Sequence, residues 1–258
     1  MIDSHVHIDA KAYYELEGGV EKVLQNAAKA GVERFVAPAL HLESHSRLCT
    51  IENQFPQVFP AAGVHPHEAS EERTEGLHQA LEERLAEARA PIVGETGLEG
   101  HYDFVPMETQ LNSLRVHLDV AKALRAPIII HCRQTEELLY RELTAYKLPA
   151  AGVVHCFTGS WEWAQKFLDL GFSIGLTGIV TFKKAEEVHE VARKIPLERL
   201  LVETDGPYLA PIPFRGKTNM PEYIPNIVNR IAELREASPE LIGRSTAQNT
   251  VDIFRLPN

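Results

Sequence analysis

Short apolar runs rich in β-branched residues recur along the chain. Each is followed by a longer stretch whose apolar positions return with a helical period. The runs cover residues 1–5, 34–39, 58–64, 91–95, 127–131, 152–156, 173–177 and 200–203. Runs this short and this continuously apolar predict parallel strands buried on both faces. Between them, Val20, Val23, Leu24, Ala27 and Ala28 keep one face of a helix that Gly31 stops. Leu111, Leu114, Leu118, Ala121 and Leu124 form a second stripe, and Ile224, Ile227, Val228, Ile231 and Leu234 a third. Residues 74–88, 135–147, 160–170 and 185–195 carry weaker helical patterns, and Ser238-Pro239 is a cap followed by proline at a first helical position. Eight strands alternating with helices predict an α/β fold, a (β/α)8 TIM barrel forming a single domain over residues 1–258. The alternative, an open doubly wound sheet, lacks a Gly-rich dinucleotide fingerprint after the first run.

Composition agrees with this picture. The chain has 258 residues, 44% hydrophobic and 24% charged, an ordinary globular balance. Such barrels typically take roughly 250 residues. No apolar run approaches the ~18 residues of a membrane span. The N-terminal residues show no basic region followed by an apolar core, so no signal peptide is expected. The sparse cysteines, Cys49, Cys132 and Cys156, have no CxxC spacing and predict reduced thiols in a cytoplasmic compartment. The net charge of −10 excludes a general duplex-coating protein. It leaves room for a phosphoesterase whose bound cations supply the local positive field.

The chemistry starts at Asp3-Ser4-His5-Val6-His7. Two histidines two apart on a strand point the same way and can grip one cation. Further ligand-type residues fall at the C-terminal ends of other predicted strands, the rim that carries the active site in this architecture. Glu95 ends the fourth, His131 the fifth and His155 the sixth, and Asp205 follows the eighth. A carboxylate and two histidines ending otherwise apolar strands cost stability unless paired or liganded. Four histidines and two carboxylates are too many for one catalytic zinc but suit two cations roughly 3.5–4 Å apart. The expected arrangement places His5, His7 and Asp205 on one ion and His131 and His155 on the other. Glu95 bridges them, a shared water attacks, and Asp205 is the general base. Nitrogen-rich ligation favours zinc, manganese or another transition ion over magnesium.

These residues sit in motifs that resemble the TatD-type metal-dependent hydrolases, a DNase family of the amidohydrolase superfamily. The likeness runs nearly end to end. It is carried by Asp3-Ser4-His5-Val6-His7, Gly63-Val64-His65-Pro66-His67, Val93-Gly94-Glu95-Thr96-Gly97-Leu98, Ile130-His131-Cys132-Arg133 and Val154-His155-Cys156-Phe157-Thr158-Gly159-Ser160. The longest piece begins at Leu201-Val202-Glu203-Thr204-Asp205-Gly206-Pro207 and continues to Asn219. The resemblance implies the same barrel, a divalent metal centre with Glu95 touching both ions, and phosphodiester hydrolysis of the 3′-to-5′ exonuclease type on nucleic-acid ends. It leaves magnesium open as the metal. Two positions depart from the family pattern: Glu99 and Gln134 stand where acidic residues, Asp in the first case, are usual.

Around the ligands, His65 is expected to bind a phosphate oxygen, with His67 beside it. Arg133 is expected either to fork onto a phosphate or to pair with Glu136 or Glu137. The loop over residues 207–218 carries Arg215 and Lys217, placed to bind phosphate after the last strand. Lys183 and Lys184 read as surface residues, Glu203 as support for a ligand, and Cys132 and Cys156 as buried small residues turned from the metals. Trp161 and Trp163 read as packing rather than base-stacking residues. The competing functions are hydrolysis of a small ester, lactone or amide by the same metal centre, and a non-catalytic metal-binding barrel. Neither a membrane nor an obligate protein partner is expected.

Overall fold

The eight apolar runs become eight parallel strands in a computed structural model that describes residues 1–257. They are β1 (Ile2–Asp3), β2 (Arg34–Pro38), β3 (Val58–Ala61), β4 (Val93–Glu99), β5 (Ile128–Arg133), β6 (Gly152–Val154), β7 (Ser173–Leu176) and β8 (Leu200–Val202). Continuous ladders run β1-β2-β3 and β4-β5-β6-β7-β8. The two arcs meet at two seams, each spanned by an isolated bridge, Ala62 with Val93 and Val6 with Gly206. At the first seam Ala62 N donates to Ile92 O (3.0 Å) and Gly94 N to Ala62 O (2.7 Å). At the second, Ser4 N donates to Val202 O (3.2 Å), Asp205 N to His5 O (2.9 Å) and His7 N to Gly206 O (2.9 Å). The architecture is the (β/α)8 barrel expected from strand counting.

Helices cover the outside at the predicted places: Gly19–Lys29, Leu77–Glu87, Met107–Leu124, Glu136–Tyr146, Trp161–Asp169, Glu186–Lys194, Ile224–Arg235 and Pro239–Phe254. Ser238 caps the last of these, its hydroxyl accepting from Leu241 N at 3.2 Å. The helix Leu42–Gln54 was not among those expected. Its buried face mixes Leu48 and Ile51 with Ser44 and His45, so the apolar stripe is broken. A capping box between His41 and Ser44 starts it. Among the described residues no helix is long and apolar enough to cross a membrane.

Strand alternation separates two cores. Phe35, Ala37, Ile128, Ile130, Val154, Leu200 and Val202 pack with the helices. Their neighbours Val36, Phe59, Ala61, Ile129, Val153 and Leu201 form a smaller cluster with Phe254 and Leu256, on the opposite, inner side of the strands. This inner row sets the direction of every residue two positions further on.

Buried His117 anchors the turn after β3. Val64 N donates to its Nε2 at 3.0 Å, and its Nδ1 donates to Ser113 O at 2.7 Å. Both nitrogens are committed, so the ring is neutral, and burial pushes its pKa from 6.5 down to about 4. The unfolded chain takes up this proton below about pH 6.5, while the folded chain does not until about pH 4. His117 therefore costs no stability above that range. It removes about 3 kcal/mol as pH falls through it. His117→Ala is expected to lose about 2 kcal/mol at pH 8, by orphaning the Val64 amide. Its stability should also fall less steeply than wild type between pH 6.5 and 4. Urea unfolding of the metal-free proteins checks this, and parallel pH slopes refute it.

Candidate metal centre

The inner row delivers the polar cluster. Ile129 is followed two residues later by His131, Val153 by His155, and Leu201 by Glu203 and then Asp205. Ala61 is followed by Gly63 and then His65. The first strand contributes Asp3, His5 and His7 in the same alternation, continued past Asp3 by the bridge at Val6. On β4 the register with β5 shifts between Val93 and Thr96, a bulge over Gly94 and Glu95. Here β3 and β4 come so close that a Cβ on Gly63 would stand 2.5 Å from the Gly94 carbonyl carbon. Asp205 adopts the left-handed region at φ 53°, which aspartate tolerates better than most residues.

Glu95, 1% exposed, lies at the centre. Its Oε2 faces His5 Nε2 (3.2 Å) and His7 Nε2 (3.7 Å). Its Oε1 faces His155 Nε2 (2.6 Å), His131 Nδ1 (3.0 Å) and His65 Nε2 (3.5 Å). Asp205 Oδ1 closes the first group, 3.6 Å from His5 Nε2 and 3.5 Å from His7 Nε2. The two groups are joined by the stacked rings of His5 and His155, 3.9 Å apart and 8° from parallel. All six residues expected as ligands are thus brought together, with Glu95 between the two sets.

The charges follow from this crowding. Burial pushes the Glu95 carboxyl up, but His155, His65 and His5 outweigh it and hold the group well below the ordinary carboxylate range. Asp205 behaves alike: burial raises it, and the His7 hydrogen bond with the fields of His5 and His155 brings it down. His7, His131 and His155 are lifted despite burial, by Asp205 and Glu95, by Glu95 and Glu99, and by Glu95 and Glu203 respectively.

The donor set fits divalent cations. His5 Nε2, His7 Nε2, Asp205 Oδ1 and Glu95 Oε2 lie 3.2–3.7 Å apart in the measured pairs. Donors about 2.1 Å from a shared ion stand about 3.0–3.4 Å apart at octahedral to tetrahedral angles. His131 Nδ1 and His155 Nε2 are 3.3 Å apart, and Glu95 Oε1 touches both. Among the described residues Glu95 Oε2 is buried with no hydrogen-bond partner, which fits a carboxylate oxygen that ligates a cation.

The surroundings orient this cluster. Glu203 Oε1 accepts from Cys156 N (2.5 Å) and stands 3.6 Å from His155 Nδ1, and its Oε2 accepts from Ser4 (3.1 Å). A Cβ on Gly175 would sit 2.4 Å from that Oε2, so glycine there makes room for Glu203. Asp3 accepts from Thr204 Oγ1 (2.6 Å) and Thr204 N (2.9 Å) across the second seam. Burial pushes Asp3 up to about 8, against the Thr204 hydrogen bonds. His65 Nδ1 accepts from His67 N at 3.1 Å, so in the neutral ring the proton is on Nε2, the atom aimed at Glu95. Burial pushes the His65 pKa down to about 3, so the ring is neutral, and with Glu95 and His131 it forms a further group of atoms close enough to hold a cation.

Glu99, read from the sequence only as a departure lying outside the ligand set, joins the cluster. Its Oε2 is 3.3 Å from His131 Nε2 and 3.4 Å from His67 Nε2. Burial raises its pKa, but hydrogen bonds from His131, His101 N and Tyr102 N bring it down to about 2. Gln134 stays outside, exposed and 3.4 Å from His101 Nδ1. Arg133 pairs with neither Glu136 nor Glu137 among the described residues; its guanidinium lies 4.9 Å from the Tyr102 ring. Arg215 and Lys217 are exposed, Arg215 stacking 4.6 Å from Phe182 in the segment after β7. Lys183 and Lys184 are exposed. Trp161 and Trp163 pack against the core, with Lys166 3.8 Å from the Trp163 ring.

Comparison with known proteins places the chain in a family of metal-dependent hydrolases. A family model described as TatD related DNase matches residues 2–255. The uncharacterized metal-dependent hydrolase YabD of Bacillus subtilis is 35% identical over 257 residues, covering 99% of both chains. The uncharacterized metal-dependent hydrolase YjjV of Escherichia coli is 36% identical over 259 residues, covering 99% of this chain and 98% of its own. The crystal structure of YjjV, a TatD homolog, superposes with a TM-score of 0.91 at 35% identity, covering 100% of this chain and 98% of that one. A TatD family hydrolase from Entamoeba histolytica reaches 0.85 at 22% identity, covering 100% and 98%, a likeness that speaks to fold alone.

Proposed function

We propose, since the chain belongs to the TatD-related DNase family, that it is a metal-dependent hydrolase of phosphodiester bonds at nucleic-acid ends, of the 3′-to-5′ exonuclease type. The buried Glu95 carries this reading, with one oxygen turned to each of two imidazole groups and Oε2 lacking a hydrogen bond. In it, His5, His7 and Asp205 hold one divalent ion, His131 and His155 a second, and Glu95 both. Zinc or manganese suits the nitrogen-rich set better than magnesium. When bound, such a pair supplies Lewis acidity toward a phosphoryl oxygen and lowers the pKa of water.

The chain's own groups do the rest. Asp205, with a side chain 14% exposed against 1% for Glu95, is the carboxylate that water reaches. Ionised, it accepts the proton of the attacking water at Oδ and passes it to solvent. The Nε2–H of His65 donates to a phosphate oxygen. Arg133, Arg215 and Lys217 give the rim a positive character that the chain as a whole, at −10, does not have. Glu203 and Glu99 hold His155 and His131 in orientation. The free thiols Cys49, Cys132 and Cys156 accord with a cytoplasmic compartment.

Metal analysis joined to a substrate panel tests this. The purified protein is expected to carry about two divalent ions per chain. It should shorten a single-stranded DNA from its 3′ end, lose that activity on chelation and regain it on metal return. Turnover confined to small esters, lactones or amides, with DNA untouched, overturns the reading.

A further inference from the structure

The loop between β4 and the helix Met107–Leu124 displays two large aromatic rings to solvent, Tyr102 (42% exposed) and Phe104 (66% exposed). They are stacked, with centroids 5.1 Å apart and planes 4° from parallel. His67 meets both edge-on, at 5.7 Å and 4.9 Å. The Arg133 guanidinium lies 4.9 Å from the Tyr102 centroid. Rings left in water forgo the gain of burial, so an ordered pair held outside calls for an occupant.

The pair is held firmly. Glu99 Oε1 accepts from His101 N (2.5 Å) and Tyr102 N (3.1 Å). Gln110 Nε2 donates to Glu99 O (3.1 Å) and Val105 O (2.8 Å), and Gln110 Oε1 accepts from Glu99 N (2.8 Å). Both ends of the loop are thus tied to one buried side chain. The other oxygen of Glu99 is 3.3 Å from His131 Nε2. A single carboxylate therefore fixes the position of the aromatic pair relative to the metal cluster.

We infer that the Tyr102–Phe104 pair is a stacking platform for one nucleobase of a single-stranded nucleic acid. Arg133 beside it meets an adjacent backbone phosphate. This inference rests on the phosphodiester reading of the cluster and names the form of its substrate. With Arg133 over Tyr102, the outer face of Phe104 is the end of the stack left to a ligand, and it suits one base, far less than a specific protein interface buries. An aromatic stack with a guanidinium over its Tyr102 ring puts a π-face and a cation within one strand's alternation of base and phosphate. Stacking accepts any base, so the platform selects for unpaired ends rather than for sequence.

The test uses a 3′-labelled single-stranded oligonucleotide and the same strand with abasic residues at its 3′ end. Wild type, Phe104→Ala and Phe104→Trp are compared in the presence of divalent metal. Wild type is expected to favour the base-bearing strand in kcat/KM by about tenfold, the effect of one base–aromatic stack. Phe104→Ala brings the ratio close to one through KM, and Phe104→Trp restores it. Phe104 lies outside the core, so neither change touches the packing of the barrel. A wild-type ratio near one, or a ratio that Phe104→Ala leaves unchanged, overturns the platform and leaves the nuclease reading standing. A wild-type protein that hydrolyses neither strand overturns that reading, and the platform falls with it.

Discussion

Glu95→Ala is expected to lower kcat by about 10⁴-fold or more, about 5 kcal/mol of transition-state stabilisation. The size follows from position. Among the described residues Glu95 is the one carboxylate in contact with both imidazole groups, so its loss removes a donor from each proposed ion. Glu95→Gln keeps the shape and one carbonyl oxygen but loses the charge, and is expected to fail almost as badly. Both variants should stay folded, because the wall on either side is apolar and the barrel's ladders do not pass through this side chain. Metal content by elemental analysis should drop from about two per chain to one or fewer, while circular dichroism is unchanged. Wild-type rates with a full metal load would end the assignment.

Asp205→Asn is the second large effect, with kcat lower by about 10³-fold, in the range for loss of a general base. Asparagine retains an oxygen for the metal but cannot accept the proton. Metal content should therefore fall less than in the Glu95 variants, which separates the two roles. The pH profile of wild type carries a further sign. Asp205 sits below the usual carboxylate range, so it is ionised at neutral and mildly acidic pH and sets no limit there. His7, His131 and His155 are raised, and each must lose a proton to bind a cation. Metal affinity should thus weaken as pH falls toward and below neutrality, and binding should release protons in that range, where these rings are protonated in the metal-free protein, and few at higher pH. Calorimetry in two buffers of different ionisation enthalpy measures that release. An affinity that holds constant from pH 8 to 5.5 would count against histidine ligation.

The strands were legible because each is a continuous apolar run ending in a polar residue, a pattern that few other structures produce. Where that pattern weakens, reading stopped early. The fourth run ended at Glu95, whereas β4 continues through Thr96, Gly97 and Leu98 to Glu99. Carrying the alternation two steps past Glu95 would have put Glu99 on the same face, beside His131. The helix Leu42–Gln54 escaped because its buried side includes a serine and a histidine. At the site, the ligand-type residues could be found from strand ends alone, since period two fixes their direction. Loop residues obey no such period. Tyr102 and Phe104 carried no signal because an exposed ring in a loop looks like any other. The cation–π contact that Arg133 makes with Tyr102, in place of an ion pair, depends on a neighbour 31 residues away.

The barrel wall is two arcs rather than one hoop. His5, His7 and His65 follow strands of the three-stranded arc, and Glu95, Glu99, His131, His155 and Asp205 belong to the five-stranded one. Between the arcs each gap is crossed by one isolated bridge and its few amide bonds. A cation gripped by donors from both sides is therefore a buckle as well as a reagent. Loading it should tighten the hoop, and amide hydrogen exchange at His7, Ala62 and Gly94, whose amides cross the gaps, should slow before exchange anywhere else in the wall.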